Sequence, residues 1–287
     1  MRITKFTVLI LLAFVFAVSS TQAQVKVKST KWKSPTFTID IAPVFALPLQ
    51  EAKGNNIGEF FQFKNFGTKF GWGAAFNFKF GLGPQGQYRP YITLGYTQMQ
   101  AKDDANIYVT ANNWKNGYPL SGNNITYDPN NIQSGKSEIF LRMPYIGAGF
   151  EYAVTNVDKK KRMWYPFFGV EFLASVITGV YRQTSANVPI QANIETAFTI
   201  KSDLRVGFGG GLGATIRFGK SAGITIGGKY KLYNLIGKKS DILVEENKMN
   251  LLDKTATDLN SNLSKDRNIG ALEFYLGATI FLGRTKK

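Results

Sequence analysis

An all-β fold, an eight-stranded antiparallel up-and-down transmembrane β-barrel, is predicted by three observations. Apolar and polar residues alternate with a period of two in eight stretches of the chain, and the connections between them run long, short, long, short, long, short, long. Beyond the N-terminal leader, no stretch approaches the roughly 18 uninterrupted apolar residues that a membrane helix needs. Period-two alternation gives a strand two unlike faces, and a barrel whose strands return alternately at its two rims produces the alternating connections.

The first strand is predicted from Thr36 to about Leu47, with Phe37, Ile39, Ile41, Pro43, Phe45 and Leu47 opposite Thr38, Asp40, Ala42, Val44 and Ala46. In the second, Phe70, Trp72, Ala74, Phe76, Phe78, Phe80 and Leu82 oppose Lys69, Gly71, Gly73, Ala75, Asn77, Lys79 and Gly81. A tight turn at Pro84-Gln85-Gly86 leads to the third, where Tyr88, Ile92, Leu94 and Tyr96 oppose Arg89, Tyr91, Thr93, Gly95 and Thr97. The fourth follows the long loop 102–136 and changes phase. Ile139, Leu141, Met143 and Tyr145 share a face against Glu138, Phe140 and Arg142, but after Pro144 the apolar set becomes Ile146, Ala148, Phe150 and Tyr152. Proline cannot donate to a sheet ladder, so a β-bulge is predicted there, with the register slipping by one.

After a charged turn at 158–162, the fifth strand carries Trp164, Phe168, Val170, Phe172, Ala174, Val176 and Val180 outward and Glu171 inward. The sixth sets Lys201, Asp203, Arg205, four glycines, Thr215 and Arg217 against Leu204, Val206, Phe208, Leu212, Ile216 and Phe218. In the seventh, Ile224, Ile226, Tyr230 and Leu232 oppose Thr225, Gly227, Lys229 and Lys231. The closing stretch, Ile269 to Leu282, alternates most plainly: Leu272, Phe274, Leu276, Ala278, Ile280 and Leu282 against Ala271, Glu273, Tyr275, Gly277 and Thr279, with Phe281 as the exception. An apolar face about eleven residues long crosses a bilayer when tilted, and exceeds the roughly 5–6 residues usual in soluble strands.

Orientation follows from cost. One face of the predicted sheet carries Lys69, Lys79, Arg89, Arg142, Lys201, Arg205, Arg217, Lys229 and Lys231 against Asp40, Glu138, Glu171, Asp203 and Glu273. On the lipid side each Arg or Lys at mid-depth would cost roughly 2–4 kcal/mol, whereas opposite charges pair in a lumen narrow enough to be filled by side chains. The predicted lumen charge network is Asp40, Lys79, Glu138, Arg142, Glu171, Asp203, Arg205, Arg217, Lys229, Lys231 and Glu273.

Arg2 and Lys5, the apolar run from Phe6 to Val18 and the small residues up to Ala23 have the order of a secretory signal, giving 1–23 as signal peptide, 24–35 as a periplasmic segment and 36–287 as barrel. The chain has no Cys and no His, which leaves no thiolate, no disulfide and neither the commonest soft metal ligands nor the usual catalytic base; no cofactor and no metal are expected. The formal charge is +16. Charges balance in the long loops 48–67, 102–136 and 237–268, so the surplus falls in the lumen and at the short-turn rim, at Lys26, Lys28, Lys31, Lys33, 159–162, Lys220, Arg284, Lys286 and Lys287. There it suits the anionic phospholipid headgroups of the inner leaflet, with ordinary solvated tails as the equal alternative. For an exported chain, nucleic acid is not an expected partner.

Two glycine motifs dissolve in context. The segment 214–221 fits a relaxed phosphate loop and 209–214 a loose dinucleotide fingerprint, but both lie in strand pattern where a helix must follow. Catalysis by lumen carboxylates such as Glu171 or Glu273 is weighed against plain ion pairing, and ion pairing is favoured. The loop 102–136 sets Tyr108, Trp114, Tyr118 and Tyr127 among many asparagines, a surface suited to glycan or protein contact. Leu residues and alternating charge predict a short surface helix from Asp241 to Leu263.

The run 138–149, Glu-Ile-Phe-Leu-Arg-Met-Pro-Tyr-Ile-Gly-Ala-Gly, followed after a short turn by Tyr-Pro-Phe-Phe-Gly-Val-Glu-Phe at 165–172, resembles a strand pair of PorT-like outer-membrane barrels of Gram-negative bacteria. The resemblance covers the whole mature chain in layout and those two strands in detail. It implies an eight-stranded barrel inserted by the barrel-assembly machinery, although Phe281 is followed by Leu-Gly-Arg-Thr-Lys-Lys where many barrels end on an aromatic residue. The expected protein is a non-enzymatic outer-membrane barrel with both termini periplasmic, in contact with outer-membrane lipid, acting structurally or through glycan or protein contact at its long loops. The alternatives are an accessory of a secretion system, a small pore and a lipid-processing enzyme.

Overall fold

The structure, a computed structural model, describes residues 36–54, 66–83, 86–103, 114–115, 118–119, 135–155, 164–185, 197–218, 221–236, 248–249 and 267–283, with the side chains at 103, 114–119, 135–137, 181–185, 197–201, 203 and 248–249 outside that description. The signal, the segment 24–35 and all the basic positions assigned to the short-turn rim therefore lie outside the described residues.

Eight strands form the wall: β1 (Phe37–Gln50), β2 (Phe70–Phe80), β3 (Tyr88–Asp103), β4 (Gly135–Ala153), β5 (Trp164–Ser185), β6 (Ala197–Arg217), β7 (Ala222–Ile236) and β8 (Ile269–Leu282). Each pairs antiparallel with its sequence neighbour, and β8 returns to β1, so no sheet edge remains. Following register partners from Ile39 through Phe78, Ile92, Ala148, Phe172, Phe208, Leu232 and Gly270 leads back to β1 at Leu49, a stagger of ten residues. With ordinary strand spacing and rise, that stagger tilts the strands by about 40° and lets each residue climb about 2.5 Å along the barrel axis. The short connection after β2 is closed by the bridge between Leu82 and Tyr88, with Gly83 and Gly86 at φ of 85° and 62°, where a side chain would be strained.

Side chains alternate along the strands, with a break in β7, where Tyr233 and Asn234 are both buried and Leu235 and Ile236 both exposed. Odd-numbered residues of β2 to β5, of β7 up to Tyr233 and of β8 point inward, as do the even residues of β1 up to Ala46, while Trp72, Ile92, Phe168, Phe172, Leu212 and Leu276 stand exposed on the outer surface. Phe281, the exception in the sequence pattern, is buried inside.

The phase slip predicted at Pro144 is absent. Along β4 the inward set runs Ile139, Leu141, Met143, Tyr145, Gly147, Gly149 and Glu151, and the β3–β4 register is continuous from Tyr88–Tyr152 to Asp103–Ser137. Pro144 faces out, and its missing N–H interrupts the β5 ladder between the Arg142–Thr178 and Tyr145–Ser175 pairs without shifting it. Register shifts occur elsewhere, opposite Ile177–Gly179 of β5 and between Val206 and Phe208 of β6.

β3 to β6 also run further toward the long loops than their amphipathic pattern predicts. Trp114–Lys115 and Tyr118–Pro119 pair antiparallel with each other, and Lys248–Met249 lies parallel to Thr199–Ile200. Lys248 and Met249, within the stretch Asp241 to Leu263 where a short helix is expected, are thus paired as strand; the rest of that stretch lies outside the described residues.

Candidate functional site

The lumen is occupied by two linked ionic clusters. Near the short-turn end, Lys79 on β2 reaches Asp40 on β1 at 2.8 Å and Glu151 on β4 at 2.5 Å. Arg89 approaches the other Glu151 oxygen at 3.4 Å, donates to the Gly86 carbonyl at 2.9 Å and lies over the Tyr165 ring. Asp40 accepts from the Thr279 hydroxyl at 2.8 Å, and hydroxyl contacts continue through Thr225 to Thr215. Asp40, Lys79, Glu151 and Arg89 are all buried, so each charge depends on its partners rather than on water.

At mid-height Glu171 on β5 receives Lys229 at 2.9 Å, Lys231 at 3.5 Å and the Tyr91 hydroxyl at 3.1 Å. Lys231 pairs with Glu273 on β8 at 2.9 Å and donates to the Tyr145 hydroxyl at 2.5 Å. Glu273 also accepts from Thr97 at 2.8 Å and from Tyr233, whose hydroxyl oxygen lies 3.0 Å from that of Thr97. Tyr233 on β7 and Thr97 on β3 stand four strands apart in a ring of eight, so this contact crosses the lumen from wall to wall. The carboxylates weighed as catalytic candidates, Glu171 and Glu273, are 1% exposed and committed to lysines and hydroxyls.

Glycines make room for the rings in this interior. Tyr145, Tyr91, Tyr275 and Phe167 each lie over the glycine directly opposite on the next strand: Gly95, Gly149, Gly227 and Gly213. A methyl group added at Gly149 would stand 2.5 Å from the Tyr91 ring, and one at Gly213 2.6 Å from that of Phe167. These four inward glycines are thus seats for neighbouring aromatic rings.

Toward the long-loop end the interior turns apolar, with Met99, Ile139, Leu141, Met143 and Ile177 buried together with Leu173. There Asn234, in the irregular part of β7, replaces backbone partners: its Oδ1 accepts from Ile269 N at 2.8 Å and its Nδ2 donates to the Arg267 carbonyl at 2.6 Å. Asn268 N donates to Glu51 at 2.9 Å, and Phe66 N to the Glu51 carbonyl at 2.7 Å, tying two loop ends together. Burial pulls the Arg267 guanidinium down to about 10, with Glu51 acting in the opposite sense.

Of the predicted network, Asp40, Lys79, Glu171, Arg205, Lys229, Lys231 and Glu273 are inside. Arg217 is half-buried, with its guanidinium 4.9 Å from the Phe281 ring centre. The Asp203 side chain lies outside the described residues. Glu138 and Arg142 require correction: both face outward, Glu138 pairing with Lys102 at 2.9 Å and Arg142 exposed, because β4 keeps one phase throughout. Lys69 is exposed as well. Glu151 was missed, although placing Phe150 and Tyr152 outward already put it inward. In the aromatic loop, Trp114 and Tyr118 belong to the small two-residue pairing, their side chains outside the description, and Tyr108 and Tyr127 lie outside the described residues.

A closed antiparallel barrel with buried ion pairs inside and an apolar belt outside is the class this geometry defines. No family model matches the chain, and no curated protein matches it. Among solved structures it is similar to Neisserial surface protein A, at 10% identity and a TM-score of 0.41, over 86% of this chain and 97% of that one. It is also similar to Ail, the attachment invasion locus protein of Yersinia pestis, at 8% identity and a TM-score of 0.37, over 86% and 99%. A third is the N-terminal β-barrel domain of Pseudomonas aeruginosa OprF, at 6% identity and a TM-score of 0.32, again over 86% and 99%.

Proposed function

We propose that the chain is a non-enzymatic integral barrel of a bacterial outer membrane, with a structural or surface-interaction role exerted through its long loops. The observation that carries this reading is the belt of large apolar side chains around the outside, Trp72 at 50% and Phe172 at 65% exposure among them, over an interior that holds buried lysines and carboxylates. A water-soluble monomer rarely exposes a contiguous apolar patch above a few hundred Å², whereas hydrocarbon requires this arrangement of faces. Both termini then fall on the periplasmic side, the long loops outside the cell, and lipid and the barrel-assembly machinery become the expected partners. Glycan or protein remains the proposed contact of the loop holding Tyr108, Trp114, Tyr118 and Tyr127.

Absence of catalysis is favoured by the engagement of Asp40, Glu151, Glu171 and Glu273 in ion pairs. The contacts crossing the lumen weigh against a pore, and single-channel recording is expected to find no steady conductance. The resemblance to PorT-like barrels supports a second reading, an accessory of a secretion system; loss of secreted cargo on deletion would favour it.

The test is heat-modifiable migration of the membrane-extracted protein, with spin labels at Phe76, Leu276, Lys79 and Glu273. Labels at the first two are expected to report lipid. A product that stays dissolved without detergent, or labels at Phe76 and Leu276 that report water, would overturn the proposal.

A further inference from the structure

Arg142 stands out on the outer wall. It is exposed, and among the described residues it has no anionic partner, while its register neighbours on β3 and β5 are the neutral Gln98 and Thr178. One step along the same face toward the short turns lie Pro144 and Tyr96, and beyond them Ile146 and Leu94, so the guanidinium sits at the upper edge of the apolar belt. Beside it runs a ladder of amides: the Tyr96 hydroxyl donates to Gln98 Oε1 at 2.9 Å, and Gln98 Nε2 donates to Gln100 Oε1 at 3.0 Å. Written in that sense, the ladder ends on the Gln100 amide as a donor. The one acidic side chain described on this flank, Glu138, is taken by Lys102 at 2.9 Å.

From this juxtaposition we propose that the outer flank of β3 and β4 is a docking site for the phosphate-bearing headgroup of a membrane lipid, held by Arg142 and the Gln100 amide with its acyl chains along Leu94 and Ile146. The proposal rests on the membrane reading above and adds a ligand to it. A guanidinium fork matches two phosphate oxygens, and a phosphate supplies the acceptors that a row of donors lacks. A headgroup is favoured over a dissolved anion because the donors lie where apolar wall gives way to polar wall, the depth at which interfacial groups reside.

Native mass spectrometry of the full mature chain in detergent tests this, with phosphatidic acid offered against diacylglycerol of the same acyl chains. Wild type is expected to retain roughly tenfold more phosphatidic acid than diacylglycerol, and R142Q to lose roughly that factor with diacylglycerol unchanged. R142K, which keeps the charge without the fork, is expected to fall between, and inorganic phosphate at equal concentration should not displace the lipid. A heat-modifiable barrel whose R142Q form retains phosphatidic acid like wild type, or which binds both lipids equally, overturns the site alone. Failure of wild type to form a heat-modifiable barrel overturns the membrane reading and the site together.

Discussion

Along β4 the two ends of the barrel wall have opposite polarity. Toward the short turns Glu151 points in and Phe150 out; toward the long loops Leu141 points in and Arg142 out. The pleat never changes phase, so the difference lies in the surroundings of each end. The change is abrupt. Tyr145 is the last polar residue inside and Met143 the first apolar one, while outside Pro144 gives way to Arg142. On β3 the outward series changes in the same way, from Leu94 and Tyr96 to Gln98 and Gln100. Under the proposed function, the lower part is inverted because hydrocarbon lies outside it. Under the same reading the upper part of β4 stands in water, with Met143, Leu141 and Ile139 in an apolar interior. The polarity of a face therefore reports the solvent it meets, not merely the direction in which it points.

The largest effect is expected inside the lower part. Glu171→Gln leaves Lys229 without its carboxylate and Lys231 with Glu273 alone, in a site that is 1% exposed at Glu171. Breaking a buried ion pair from one side costs about 3–5 kcal/mol, so urea unfolding in micelles should shift by that amount. Next comes an arginine placed on the outer face of β4. Ile146→Arg should cost about 2–4 kcal/mol when the protein is folded into vesicles, whereas Phe140→Arg, on the same face beyond Arg142, should cost under about 1 kcal/mol. Equal costs at the two positions would abolish the boundary between the two ends.

This boundary explains what was legible in the sequence. Seven strands keep their apolar face outward over most of their length, and for these alternation alone gives direction, neighbours and closure. In β4 the polar and apolar sets trade places at Pro144, and a proline at that point invites a bulge. Period-two reading cannot distinguish a strand that slips by one residue from a strand whose solvent changes, since both exchange the sets. The error placed Glu138 and Arg142 in the lumen and hid Glu151. It was recoverable in part, because Pro144 faces outward in a ladder interrupted on one side only. The pairing of particular lysines with particular carboxylates was not legible, since it depends on the ten-residue stagger, which no local pattern encodes.

A smaller effect tests the packing of the lower interior. Gly95→Ala sets a methyl group against the Tyr145 ring, whose hydroxyl receives Lys231. Overpacking of this kind costs about 1–3 kcal/mol, and Gly95→Ala with Tyr145→Leu should recover part of it, a double-mutant cycle that isolates the contact.

The smallest expected effect discriminates most sharply between the two accounts of β4. Lys102 and Glu138 pair at 2.9 Å with their side chains 60% and 27% exposed, so water screens the pair and two long side chains lose freedom in forming it. Glu138→Gln should therefore change stability by about 0–1 kcal/mol, within reach of a chemical denaturation series on the folded barrel. Were Glu138 inside the lumen, as the shifted phase required, the same substitution would strand a buried cation and cost about 3–5 kcal/mol. A near-zero value at Glu138 beside a large one at Glu171 is the result expected if one unbroken pleat passes from one solvent into another.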